Sequence, residues 1–266
     1  VQPTDWNPDP ETYQATASVL RPLQRVHRQH VAGFEHVPRE GRVLMVMHHS
    51  FATYDAFLFG LALVEFTGRI PRGLGDDRLF QTPGVRRIMR TIGIVPASPG
   101  AGHQLLERGE LVGVAPGGMW EALRPRSQRY QTRWGDRRGF VRLALRTGSP
   151  LLLVACRTAD DLYTIYDNPL TEAIYKRFHF PLPLVRGWGP TLLPRPVQLT
   201  HHIAPPIVPP AWDPSREDEQ LEEIFQAAST TMDRLLHSAD PGVSVWRGPP
   251  GGFDPHNHPA ATAHHR

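Results

Sequence analysis

The chain has 266 residues, 40% hydrophobic and 21% charged, which suffices for one domain with its own core. A formal charge of +3 and a pI near 9.3, with no interleaved basic and aromatic module, exclude nucleic acid as an expected partner. The single cysteine, Cys156, excludes an internal disulfide framework and a cysteine-rich metal site, and it fits a reducing, cytoplasmic setting.

After a proline-rich start, residues 11–30 (ETYQATASVLRPLQRVHRQH) carry helical spacing and a basic face, with Pro22 expected to kink or divide the helix. No signal peptide is expected at the start of the chain. Short apolar runs follow at VLMVM (43–47), IGIV (92–95), LVGVA (111–115) and LLLVAC (151–156), the composition of strands buried on both faces. Between them lie helical stretches: DAFLFGLALVEF, GVRRIMRT, GHQLLERG, and GFVRLALRTG with Gly148 in a C-terminal capping position. Strand and helix in alternation predict an α/β fold, a single domain with a largely parallel central sheet flanked by helices.

Residues 175–196 mix aromatics, leucines, prolines and arginines without a period and read as a lid or a membrane-facing loop. Residues 215–237 form a well-signalled terminal helix, with acids crowding its first turns and apolar positions at Leu221, Ile224, Phe225, Ala228, Met232 and Leu235. The domain is expected to run over 1–248, with a helical segment at 11–30, a catalytic core at 31–212 and the terminal helix after it. Residues 249–266 read as a disordered tail, whose His256, His258, His264 and His265 lack the carboxylates and spacing of a functional metal site. Lys176 is the sole lysine among 29 basic side chains, a bias that coding composition explains. No run reaches the ~20 apolar residues of a spanning helix, so any membrane contact is expected to be peripheral.

The chemistry concentrates where VLMVM ends. His48, His49, Ser50 and Asp55 interrupt an apolar run at a strand-to-helix turn, the edge of an open α/β sheet at which ligands bind. A hydrogen bond from the His49 imidazole to the Asp55 carboxylate would fix the tautomer and raise the basicity of the other ring nitrogen. The plain structural reading is that Asp55 caps the helix behind it. A second polar signal follows the strand at 111–115: Pro116, Gly117 and Gly118 permit a sharp turn with backbone N–H groups near a ligand, and Glu121 lies within reach of the same edge.

HSFATYD, APGGMWEAL, W-x3-R-GF-V-R-L-A-L and SPLLLV, in this order and spacing, resemble the glycerolipid (PlsC-like) acyltransferase superfamily. Within it they are similar to the branch of type-2 diacylglycerol acyltransferase-like and phytyl ester synthase-like enzymes. The likeness covers about residues 25–237. It implies an acyltransferase-like fold, His49 as general base with Asp55 as its partner, and His48 as the lesser candidate. Five residues separate His49 from Asp55 where the larger superfamily has four, and Ser50 stands at the four-residue position. The implied substrate-binding set is Pro116, Gly117, Gly118, Trp120, Glu121, Arg124 and Arg138. Trp120 replaces an arginine that phosphate-accepting members use, which speaks against lysophosphatidic acid unless Arg124 or Arg126 substitutes.

The implied reaction is direct transfer of a fatty acyl group from acyl-CoA or acyl-carrier protein to a lipid hydroxyl of a mono- or diacylglycerol, lysophospholipid or long-chain alcohol. No cofactor or metal is expected. The partners are that donor, the lipid acceptor and the inner face of a membrane. Gly117 and Gly118 N–H groups are candidate oxyanion donors. Phe51, Phe57, Phe59 and Phe66 are available for an acyl groove, although most read as core. Arg78, Arg86, Arg87, Arg137 and Arg138 are candidates for phosphate contact. Three rivals remain: N-acyl transfer to an amine headgroup, non-catalytic lipid binding, and hydrolysis, the last weakened by the lack of a G-x-S-x-G elbow.

Overall fold

In the computed structural model, which describes residues 7–8, 10–167, 184–237 and 245–246, β2 (Val43–Met47) is the centre of the molecule. It pairs in parallel with β5 (Leu111–Val114) on one side and β6 (Leu151–Ala155) on the other. β3 (Arg72–Gly75) and β4 (Ile94–Pro96) extend the sheet beyond β5, also in parallel. On the far side, β9 (Thr200–Ile203) runs antiparallel to β6 and parallel to β1 (His30–Ala32), and β10 (Val245–Trp246) closes the edge. The eight-stranded order is β10-β1-β9-β6-β2-β5-β3-β4, and Thr164–Ile165 (β7) and Val185–Arg186 (β8) form a separate ribbon. This is the expected largely parallel α/β sheet.

Alternation along β2 decides what covers each face. Leu44 and Val46 join Leu105, Leu145, Ile224 and Met232 from α4 (Pro99–Glu107), α6 (Gly139–Thr147) and α7 (Glu217–His237). Val43 and Met45 join Phe34, Phe59, Leu63 and Phe66, the last three from α2 (Tyr54–Thr67). These four of the five β2 residues are buried, so a continuous apolar run was needed. α1 (Pro10–Val26) backs α2 through Tyr13 and Ala17 against Leu61.

Several expectations shift. α1 ends at Val26 because His30–Ala32 is drawn into the sheet by β9. It also runs through Pro22 undivided: the ring removes the bond to Ser18, which is exposed, so water can serve that carbonyl. The IGIV run starts its strand two residues late, since Gly93, at φ +84°, turns the chain out of α3 (Pro83–Thr91). The terminal helix starts at Glu217 rather than 215, after a short 3-10 turn at Pro214–Arg216. Residues 175–183 of the expected lid and the histidine-bearing tail lie outside the described residues.

Candidate active site

β2 delivers the histidines to the sheet edge. His48 is still pinned to the sheet, its N–H donating to Val154 O at 3.1 Å, and His49 is the first residue released. From Ser50 the chain makes a tight turn with Ala52 and Thr53 in the left-handed region, at φ +59° and +55°. Two successive non-glycine residues there are uncommon, and strain of this kind persists where surrounding structure over-determines it. The turn accommodates the fifth residue between His49 and Asp55 and brings Asp55, in the first turn of α2, back beneath Ser50.

In place of the direct His49–Asp55 hydrogen bond expected from the spacing, both residues bond to Ser50, at different groups. Ser50 Oγ donates to Asp55 Oδ1 in a short bond, while His49 Nδ1 lies 2.9 Å from Ser50 O. A carbonyl only accepts, so Nδ1 carries the proton and Nε2 is left with its lone pair. His49 is half-buried, whereas Ser50 and Asp55 are buried. Burial lowers the His49 pKa below the ordinary histidine value, with the Ser50 carbonyl and the Asp55 charge acting in the opposite sense. Burial alone would raise Asp55, but His201 and Ser50 hold it below the usual aspartate value.

His48 is unsuited to be the base. It is buried against the Arg124 guanidinium, and burial followed by that charge lowers its pKa to about 4.

The glycine pair is explained residue by residue. A Cβ on Gly117 would overlap the Glu121 side chain, which folds back against it, and Gly118 adopts φ +52°. The gain is a fully buried Glu121, whose Oε1 accepts from His49 N–H at 3.0 Å and whose Oε2 accepts from Arg133 N–H at 3.3 Å. Glu121 thus fixes the backbone of the candidate base, and burial raises its carboxyl above the ordinary value against the pull of Arg124. With both oxygens engaged by the chain, it holds the site together and does not face a substrate. Gly118 N–H donates to Ala115 O at 2.9 Å and is unavailable as an oxyanion donor. Pro116 and Gly117 offer carbonyls to Arg137, at 3.1 Å for Pro116.

Two arginines are corrected. Arg124 is buried and doubly bonded to Asp160, with Nε to Oδ2 at 3.1 Å and Nη2 to Oδ1 at 2.7 Å, so it braces the turn and is not presented to a phosphate. Arg138 reaches α7, bonding Glu222 at 2.7 Å over the Phe225 ring, away from the histidine turn. Trp120 is partly exposed and stacked by Arg133 at 3.8 Å. Phe59 and Phe66 are core, and Phe51 packs on Tyr163.

A cavity of about 460 Å³ opens along the ends of β3, β4 and β5, lined by Leu74, Ala97, Val114, Pro116, Phe140 and Leu143 among others. It begins at Pro116, after the strand adjacent to β2. Sequence reasoning missed Asp160 and His201. Among the described residues, Asp55, Cys156 and His201 form a group that could hold a metal, their ligand atoms lying within 4.8 Å of one another.

Residues 28–157 match the family model described as Acyltransferase. A bovine protein called "DGAT1/2-independent enzyme synthesizing storage lipids" is 26% identical over 219 residues, covering 81% of this chain and 62% of that protein. An uncharacterized Mycobacterium tuberculosis protein is 28% identical over 237 residues, covering 83% and 66%. The chain therefore spans under two thirds of the length of these relatives. The crystal structure of PlsC, the 1-acyl-sn-glycerophosphate acyltransferase of Thermotoga maritima, aligns with TM-score 0.49 and 16% identity, covering 85% of this chain and 84% of that one. The segment similar to the Acyltransferase family thus holds both the histidine turn and the glycine turn.

Proposed function

We propose that the chain transfers a fatty acyl group from a thioester, acyl-CoA or acyl-carrier protein, to a lipid hydroxyl, with His49 as general base. The observation that carries this reading is the fixed tautomer: with Nδ1–H committed to Ser50 O, His49 keeps a lone pair on Nε2 at a half-open sheet edge. Nε2 takes the acceptor's proton as its oxygen attacks the thioester carbonyl. The tetrahedral intermediate then expels the thiolate, which recovers the proton from the imidazolium. Asp55, kept ionised through Ser50 and His201, stabilises that imidazolium.

The 460 Å³ cavity supports a role in holding the acyl chain, being lined largely by apolar side chains next to the glycine turn. A storage-lipid product, as the name of the bovine relative states for that protein, favours a neutral acceptor here, in keeping with Trp120 and with Arg124 being committed to Asp160. Exposed Leu184, Trp188, Leu192 and Leu193, interspersed with Arg186 and Arg195, favour a membrane surface as the place where the acceptor is met. Among the described residues no helix is long and apolar enough to cross a membrane.

The test is transfer of labelled acyl groups from CoA and carrier-protein donors into a panel of mono- and diacylglycerol, lysophosphatidic acid, other lysophospholipids, long-chain alcohols and amine-headgroup lipids. A neutral ester that disappears in His49→Ala is the expected product. An amide product would replace the acceptor class, and no acylated lipid from any donor would leave a binding role.

A further inference from the structure

We propose that His201 is a positioning residue for this reaction: with Gln29 behind it, it holds in place the Asp55 carboxylate, which Ser50 links to the turn that carries His49. The inference rests on the proposed general-base chemistry. His201 stands on β9, the strand between β6 and β1, and its Nε2 faces Asp55 Oδ2 at 3.5 Å. Both side chains are buried, and Nε2 has no closer hydrogen-bond partner. Its Nδ1 lies 3.4 Å from the amide nitrogen of Gln29, on the turn that enters β1. An amide nitrogen only donates, so with the Gln29 amide in this orientation Nδ1 accepts and the ring proton sits on Nε2, on the side of the carboxylate but outside hydrogen-bond geometry. Phe59, from α2, stacks on the ring at 4.9 Å and fixes its plane.

Asp55 therefore has two supports. Ser50 Oγ–H donates to Oδ1, and the His201 N–H faces Oδ2. The other groups bearing on it are His48 at the end of β2, the Cys156 thiol after β6, and the half-buried His49. None of these donates to Oδ2 in the structure. Without His201, a fully buried carboxylate would keep one hydroxyl as its only donor, and burial would favour its neutral form. A neutral Asp55 no longer stabilises an imidazolium on His49.

The experiment compares kcat, KM and the pH dependence of kcat for wild type, His201→Phe, which keeps the ring stacked on Phe59, and His201→Gln, whose amide can replace the Nε2 donor. The expected result is a fall in kcat of about 10- to 100-fold for His201→Phe with KM little changed. With Asp55 neutral, His49 loses a charge that raises its pKa, so the acid limb should move to lower pH, with substantial recovery of both in His201→Gln. Combined with Asp55→Asn, the His201→Phe loss should vanish. Wild-type kcat and acid limb in a folded His201→Phe, or losses that simply add to those of Asp55→Asn, would overturn the inference.

If His201→Phe does not fold, ¹⁵N resonances of the wild-type imidazoles decide. Protonation of His201 at Nε2 supports the inference, and protonation at Nδ1 ends it. Failure of the underlying reading is distinct, because His49→Ala would then retain activity or the wild type would show none.

Discussion

At the level of single residues, the tautomer of His49 and the charge of Asp55 govern what the turn can do. Removing His49 should cost about 10²- to 10⁴-fold in kcat, the range for a positioned base. Asp55→Asn should lower kcat while lipid binding, measured separately, stays near wild type; parallel loss of both would indicate a structural role. Because burial lowers the His49 pKa, the proposed base is neutral at pH 7 and protonates only below the ordinary histidine range. The acid limb of kcat should therefore fall below pH ~6.5, and a limb above that value would count against His49. That His49 and Asp55 share one strand-to-helix turn was legible in HHSFATYD, and Cys156 in LLLVAC was rightly read as buried. The part played by Ser50 was not legible, because it depends on two left-handed residues that a spacing rule cannot show. His201 was hidden for a different reason: Leu199, His201 and Ile203 alternate on a buried face, but a histidine breaks the apolar signature of that short strand.

Among elements, the tie between the histidine turn and the glycine turn is Glu121. Glu121→Ala would leave two backbone N–H groups without their acceptor and remove one carboxylate from beside the buried Arg124. It should destabilise the fold by about 3 kcal/mol or more, seen as a lowered urea midpoint. Gly117→Ala should act on the same contact, since its methyl would displace the Glu121 side chain; unchanged stability and activity would show that Glu121 has room to move. The sequence pattern identified strands 43–47, 111–115 and 151–156 closely, since each is buried on both faces and bounded by turns. It missed β1, β3 and β9, which are short and carry glycine, arginine or histidine. It also overestimated Arg124 and Arg138, because an arginine near a motif does not reveal that Asp160 or Glu222 already holds it.

For the whole molecule, the sheet places the proposed base, His49, after its central strand and the cavity after the neighbouring strands, so donor length is expected to be set by side chains remote from His49. Leu143→Trp should fill part of the cavity. If this excludes two methylenes at about 0.8 kcal/mol each, preference should shift toward shorter donors by roughly 15-fold in kcat/KM. An unchanged profile over a series of acyl-CoA lengths would assign the cavity another role. Surface chemistry carries a further expectation: replacing Trp188 and Leu192 by serine should reduce flotation with liposomes while leaving transfer to a detergent-dispersed acceptor intact. The most direct measurement is single-turnover acyl transfer to a lipid hydroxyl by wild type and His49→Ala, with donor and acceptor binding measured on the same preparations. Both proteins are expected to bind and only the wild type to transfer. Equal transfer by a folded His49→Ala would contradict general-base catalysis by His49.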